Sequence, residues 1–220
     1  MFSGQPVSSR KTLLRIDVEW KACWASGIRD PLLPCCLLAL SETTLMTFAP
    51  KFDPKMSTIE LDGAMVSLHC HHYNCGLLKA LEEIPGVDAH DILMKTAAEE
   101  FYKNFKAHLA KGGKEFSIKT ALREAAELYR FMGFGAIDLR ETGAEGGTAY
   151  SDSSYFVVGW LAKFGRRKAP VCFLTCGFLA GILAVIHGAA PDDYTVRETE
   201  CLVSGSDRCT FTISRKPHGH

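Results

Sequence analysis

The sequence predicts an α+β domain in which helices pack on a small antiparallel sheet. Three patterns predict this class. Residues 92–110 repeat apolar side chains at helical spacing, residues 135–141 alternate as a strand, and residues 194–203 and 208–214 flank Ser-Gly-Ser-Asp as the two arms of a β-hairpin. Together they place helices in the middle of the chain and a hairpin near its carboxyl end.

Start and stop signals divide the middle of the chain into several helices. Asp91 caps the amphipathic helix, which Gly112 and Gly113 end, and Ser117 opens the next helix, which Gly133 ends. The predicted helices cover residues 77–83, 92–110, 117–131, a segment capped by Asp152 or Ser153 that carries Tyr155, Gly159 and Trp160, and residues 171–187.

The predicted strands surround these helices. The strand at residues 135–141 is followed by a glycine-rich loop at residues 143–147. In the C-terminal hairpin, Gly205 is free to take a positive φ. A three-residue loop at residues 204–206 would set Cys201 opposite Cys209 on the neighbouring strand.

The C-terminal region spaces three sulfurs and one carboxylate so that folding could bring them onto one metal ion, with the ligands Cys176, Glu198, Cys201 and Cys209. Glu198 lies three residues before Cys201, so a bulge near Thr199 is needed for both side chains to reach one ion. Cys172 shares a helical face with Cys176, so this helix end can supply a thiolate. The spacing alone leaves open a metal site, buried thiols that only pack, and a disulfide.

Composition and charge limit the function classes. With 220 residues and 47% apolar content, the chain can bury one core and carry an appended segment. The chain has 25 Lys plus Arg residues and 25 Asp plus Glu residues. We therefore expect it to bind neither nucleic acid directly nor an anionic membrane surface. The longest apolar stretch near the start, residues 32–40, is too short to span a bilayer.

The number of cysteines bears on the cellular compartment of the protein. The chain has nine, an odd number, and its first residues lack the apolar core of a signal peptide. We therefore expect a cytoplasmic protein, in which clustered thiols serve metal binding rather than disulfide formation.

One globular domain is expected at residues 56–215. Residues 1–55 scatter Trp, Cys, Pro, Ser and charged residues without a sustained period, which predicts a loosely ordered extension or a mispredicted start. Residues 216–220 are predicted to be a disordered tail.

A second cluster, at residues 69–75, concentrates three histidines and two cysteines. On a helix, His69, His72 and Cys75 would share a face, whereas on a strand His69, His71 and Tyr73 would. Either geometry offers nitrogen or thiolate ligands for zinc, iron or copper. His69, His71, His72 and Cys75 are therefore candidates for a second metal or ligand site, and pocket lining or purely structural contacts are the other open interpretations.

An apolar pocket needs hydrophobic walls and a few polar groups. Tyr155 and Trp160 lie near Gly159, which permits close backbone approach, and Phe131 and Phe178 add apolar surface. These four aromatic side chains are the candidate ligand pocket, although they also fit an ordinary core. The chain has no GxSxG elbow, no Walker loop and no GxGxxG after a strand, so no catalytic residue is assigned.

The pattern PVC-x3-CGFLAGILA, followed by V-x-E-x2-C-x3-G-x3-C-x-F, resembles the C-terminal half of the 4-vinyl reductase (4VR) domain family. The match is specific over residues 155–213 and extends more loosely back to about residue 60. This family includes a bacteriochlorophyll-biosynthesis protein, stand-alone hydrocarbon-binding proteins, and sensor modules of transcription activators that respond to aromatic compounds. Its fold is similar to that of transport-particle subunits that hold an acyl chain in an internal tunnel.

The resemblance implies a metal site and a ligand. In the sensor branch, zinc is held by a Cys followed by Glu-x2-Cys-x7-Cys, which falls here on Cys176, Glu198, Cys201 and Cys209 and would clip the C-terminal hairpin. It also implies a cavity for a hydrophobic, aromatic or tetrapyrrole-like molecule in a non-catalytic protein. A homodimer is a separate expectation for this chain. The family name is not an expected activity, because the pattern holds no hydride-donor site.

Two other functions stay open at this stage. One is a metal-dependent enzyme or metallochaperone that uses residues 69–75, where an open coordination position could activate water. The other is an accessory protein of tetrapyrrole vinyl reduction.

Overall fold

The computed structural model describes residues 49–111 and 116–217. The predictions for residues 1–55 and 216–220 lie mostly outside the described residues. The described chain opens with three short strands, β1 (Pro50–Asp53), β2 (Thr58–Leu61) and β3 (Ala64–Val66). They form an antiparallel sheet in the order β1-β2-β3, which the sequence patterns did not predict.

Three helices follow: α1 (His71–Glu82), α2 (Ala89–Lys111) and α3 (Ile118–Phe131). Ser117 caps α3 as predicted, since its hydroxyl accepts a hydrogen bond from the backbone N–H of Thr120 at 3.2 Å. At the start of α2 the capping carboxylate is that of Asp88 rather than Asp91, because it accepts the Asp91 backbone N–H at 3.0 Å. No helix among the described residues has the length and apolar composition needed to cross a bilayer.

The remaining elements are β4 (Gly135–Gly143), β5 (Gly146–Ser154), α4 (Tyr155–Phe164), α5 (Phe173–Ile186), β6 (Tyr194–Glu200) and β7 (Cys209–Arg215). The four strands form an antiparallel sheet in the order β4-β5-β7-β6. Strand β5 was missed because its sequence, GGTAYSDSS, is rich in small polar residues that are typical of loops. The predicted α+β class with antiparallel strands is confirmed.

Helix α5 lies at the centre of the domain, against α2, α3 and β6. Eleven of its 14 residues are buried. Gly177 and Gly181 let α2 approach closely, because a Cβ atom at these positions would lie 2.3 Å from the Met94 carbonyl oxygen and 2.5 Å from that of Ala98. The small residues of α5 therefore admit the neighbouring helix.

This close contact makes Gly177→Ala strongly destabilising. The added methyl group has to push α2 away, so we expect a loss of about 1–3 kcal/mol and a thermal midpoint lower by roughly 5 °C. Gly76→Ala in α1 is the matched control, because its Cβ would meet only the flexible end of Lys163. Thermal melts followed by circular dichroism compare the two variants, and equal midpoints would contradict the packing.

Candidate functional site

The start of α5 and the C-terminal hairpin bring together four potential metal ligands, which are Cys172, Glu198, Cys201 and Cys209. One ligand atom from each lies within 4.8 Å of the others. The Cys209 sulfur is 3.9 Å from that of Cys172 and 3.8 Å from that of Cys201. Sulfurs sharing a tetrahedral zinc through bonds of about 2.3 Å lie ~3.8 Å apart, whereas disulfide sulfurs lie about 2.05 Å apart. The separations therefore fit a shared ion and exclude a disulfide between these pairs.

A β-bulge turns Glu198 towards the sulfurs. In the β6–β7 ladder, Glu198 pairs with Phe211 and Glu200 with Thr210, so Thr199 is the extra residue. The bulge that the sequence analysis required near Thr199 is thus present. The positive φ predicted for Gly205 is also confirmed, at 103°.

The structure places Cys172, and not the predicted Cys176, in this cluster. Cys172 precedes the first turn of α5 as its N-cap residue, and its thiol faces the hairpin. Cys176 lies one turn further into the helix, where its thiol is buried beside the backbone N–H of Glu198. Both cysteines are on one helical face, and only the geometry of the helix end distinguishes them.

Glu198 has one satisfied and one unsatisfied oxygen. Its Oε2 accepts the backbone N–H of Cys172 at 2.9 Å, while its Oε1 is buried without a hydrogen-bond partner among the described residues. Burial, with the nearby Cys201 sulfur, raises the pKa of Glu198 to about 8. A buried carboxylate oxygen with no donor is the environment in which a cation is favoured.

The three thiols share their protons unevenly. Hydrogen bonds donated by Cys172 and Cys209 lower the pKa of Cys201, while the bonds to Cys201 and Cys209, together with burial, raise the pKa of Cys172. The cluster therefore stabilises one thiolate and keeps protons on its neighbours. A divalent cation could displace those protons and use all four ligands.

An apolar cavity of about 590 Å³ lies between the β1–β3 sheet and the helices. Its polar groups gather at one end, where the Tyr155 hydroxyl donates to the His69 carbonyl at 2.9 Å and accepts from the Asn74 amide at 2.8 Å. The apolar wall comes from several elements and includes Leu61, Leu78, Leu93, Phe134, Phe156 and Leu174. This composition is that of a site for an oily molecule with a few polar contacts.

Two of the four predicted pocket residues line this cavity, namely Tyr155 and Phe131. The other two lie in the core. Trp160 packs against Phe164 and under the guanidinium of Arg167, 4.5 Å from its ring centroid. Phe178 is fully buried inside α5. Aromatic residue type alone did not separate cavity wall from core.

The histidine cluster at residues 69–75 is divided by the start of α1. His69 lines the cavity, while the rings of His71 and His72 contact each other with centroids 4.2 Å apart. The buried Cys75 thiol donates to the carbonyl of Phe156 at 3.5 Å. Within the described part of the chain, a metal-type grouping of three or more ligands forms only at the C-terminal cluster, so these four side chains are not gathered around one point.

The cavity and the cysteine cluster share a wall. Val171 and Phe173 line the cavity, while Cys172 between them faces the other ligands. On the neighbouring segment, the Ser154 hydroxyl lies 3.2 Å from the Cys172 sulfur, and Tyr155 and Phe156 line the cavity. The sequence analysis missed Val171, because nothing in the pattern marks it apart from other core residues.

No protein-family profile and no curated protein matches the chain. The structure is similar to the phenol-responsive sensory domain of the transcription activator PoxR in its crystal structure with phenol. The TM-score is 0.62 at 21% identity, over 76% of this chain and 84% of that chain.

Two further structures are more distant. A vinyl-4-reductase family protein from Methanocaldococcus jannaschii gives a TM-score of 0.47 at 17% identity, over 68% of this chain and 83% of that chain. A trafficking protein particle complex subunit 3 from Naegleria fowleri, covalently bound to palmitic acid, gives a TM-score of 0.43 at 14% identity, over 68% of this chain and 95% of that chain. The chain therefore has the fold of the PoxR sensory domain.

Proposed function

We propose that this protein is a small-molecule-binding domain whose cavity takes a hydrophobic, aromatic or tetrapyrrole-like ligand. The observation that carries the proposal is the cavity of about 590 Å³, which lies within the range of small-molecule sites. Its apolar walls supply most of the contact, and the Asn74 and Tyr155 side chains at one end supply hydrogen-bonding groups that orient the ligand. The likeness in fold to a phenol-responsive sensory domain supports a sensing role.

The second part of the proposal is a structural zinc ion at Cys172, Glu198, Cys201 and Cys209. Three sulfurs and one carboxylate complete a tetrahedral shell, which is typical of structural rather than catalytic zinc. Zinc there would join the start of α5 to both arms of the hairpin. Metal binding would then contribute directly to the stability of the fold.

The proposal includes no reaction and no direct nucleic-acid contact. It includes a reducing, cytoplasmic location, because a thiolate-ligated zinc requires reduced cysteines. A homodimer is also part of the proposal.

Native mass spectrometry of the freshly purified protein tests these points together. We expect one zinc ion per chain and, in a fraction of molecules, a retained small organic molecule. Titration with phenol and with the larger apolar probe N-phenyl-1-naphthylamine then tests the cavity. If neither probe binds at millimolar concentration, the ligand-binding function is refuted.

Zinc affinity should increase with pH. In the metal-free protein the Glu198 pKa is raised to about 8, so below that pH zinc must displace a proton. Affinity should therefore increase as pH rises from 6 to 8, by up to about tenfold per unit for each displaced proton, and the Glu198 contribution should level off above pH 8. Competition with a zinc-chelating dye measures the zinc affinity at each pH.

Glu198→Gln provides the control for this pH dependence. The amide does not titrate, so the slope of zinc affinity against pH should be shallower in this variant. A pH-independent affinity in the unaltered protein would contradict the assignment of Glu198 as a ligand.

A further inference from the structure

A second cavity, of about 320 Å³, adjoins the first and shares the lining residues Leu61, Val66 and Met132 with it. Leu61 and Val66 belong to the β1–β3 sheet, so this sheet covers both cavities. β1 is exposed along its whole length, and no residue of the three strands is fully buried. The sheet thus lies over the cavities without being part of the packed core.

Asp62, in the turn between β2 and β3, fastens the sheet to α2. Its carboxylate lies 2.9 Å from Nδ1 of His108 and 2.7 Å from Nζ of Lys111, and the Lys111 ammonium also donates to the Asp62 carbonyl. Burial raises the pKa of Asp62, but these hydrogen bonds outweigh it and the net shift is downward, which keeps the carboxylate ionised. Within residues 49–111 and 116–217, the hydrogen bonds between residues 50–66 and the helices all involve Asp62.

His108 is held in place from its other side. The residue is 5% exposed, and its Nε2 lies 3.8 Å from a carboxylate oxygen of Glu124 on α3, which is itself 1% exposed. A buried carboxylate is stable only beside a compensating partner. The Glu124 carboxylate thus lies on the Nε2 side of the imidazole, while Nδ1 faces the turn. We call Asp62, His108 and Glu124 the latch.

We infer that the β1–β3 sheet is a gate over the ligand cavity and that the latch holds it closed. The inference rests on the proposed function of that cavity. Residues 67 and 68, between β3 and the His69 carbonyl that Tyr155 holds, have no regular structure and are exposed, so they provide a hinge. Opening at this hinge breaks the few polar contacts of Asp62 and leaves the core around α5 intact.

Asp62→Gly is the variant that tests the latch. It removes the carboxylate, and glycine accepts the positive φ of 51° at this position. Glu60→Ala is the matched control, because Glu60 lies in the same sheet and pairs only within it, with Lys51 at 4.0 Å. Glu124→Gln replaces the carboxyl group beside Nε2 of His108 with an amide of nearly the same shape and should weaken the latch in the same direction.

Hydrogen exchange measures opening without any ligand. In Asp62→Gly we expect the amides of residues 58–66 to exchange at least about tenfold faster, with α5 unchanged and Glu60→Ala indistinguishable from the unaltered protein. Unchanged α5 exchange also shows that the variant is folded. Unchanged exchange of residues 58–66 would overturn the inference.

Stopped-flow binding of N-phenyl-1-naphthylamine measures the consequence for access. Both the association and the dissociation rate constants should increase at least about threefold in Asp62→Gly and stay unchanged in Glu60→Ala. Faster exchange of residues 58–66 with unaltered probe kinetics would overturn the gate. If the unaltered protein does not bind the probe, the proposed ligand-binding function fails, and hydrogen exchange still decides whether the latch holds the sheet.

Discussion

Cys172→Ser is expected to abolish stoichiometric zinc binding and to lower the thermal midpoint by roughly 10 °C or more. The Cys172 sulfur lies 3.9 Å from that of Cys209, and its backbone N–H is bonded to Glu198. A serine hydroxyl is a poor zinc ligand, so the ion loses one corner of its shell. The three remaining ligands would then no longer tie α5 to the hairpin.

Cys176→Ser is the matched control for this prediction. Cys176 lies four residues later on the same helix and is 2% exposed, against 0% for Cys172. Its replacement buries a hydroxyl group and should cost only about 1–2 kcal/mol, with zinc retained. Elemental analysis and thermal melts with and without a chelator measure both effects. The reverse result, with zinc lost from Cys176→Ser and kept by Cys172→Ser, would reject the ligand set.

The local elements of the fold could be predicted because their signals are local. The Ser117 cap and the positive φ of Gly205 each follow from a few neighbouring residues. The Thr199 bulge, in contrast, was expected only because Glu198 and Cys201 have to reach one ion. The choice between Cys172 and Cys176 as the ligand could not be predicted, because it depends on where α5 begins relative to the hairpin. Helix ends are set by tertiary contacts to within a residue or two, and one helical turn separates the two thiols.

The cavity was predictable only in part, for a similar reason. Tyr155 and Phe131 line it, but so do Leu93, Val171 and Leu174, which have the sequence character of ordinary core residues. The covering sheet escaped prediction as well, since its strands are three or four residues long and do not bury a full face. Whether an apolar side chain faces a neighbour or an empty volume depends on how the elements are arranged in space, which no local pattern records.

Leu93→Trp is expected to weaken binding of N-phenyl-1-naphthylamine by at least about tenfold, because the indole occupies the volume that the probe needs. Leu93 lies on α2, lines the cavity and is only half-buried, so the larger side chain can enter the cavity without displacing the core. Leu93 is not one of the four proposed zinc ligands, so zinc content should stay at one ion per chain.

Ile92→Trp supplies the control on the same helix. Ile92 is 48% exposed and does not line the cavity, so an indole there points into solvent and probe affinity should be unchanged. Fluorescence titration gives the affinities, and thermal melts establish that both variants are folded. Equal affinities in the two variants would place the probe outside this cavity and separate a failure of the ligand site from a failure of the metal site, since zinc binding depends on residues that neither substitution touches.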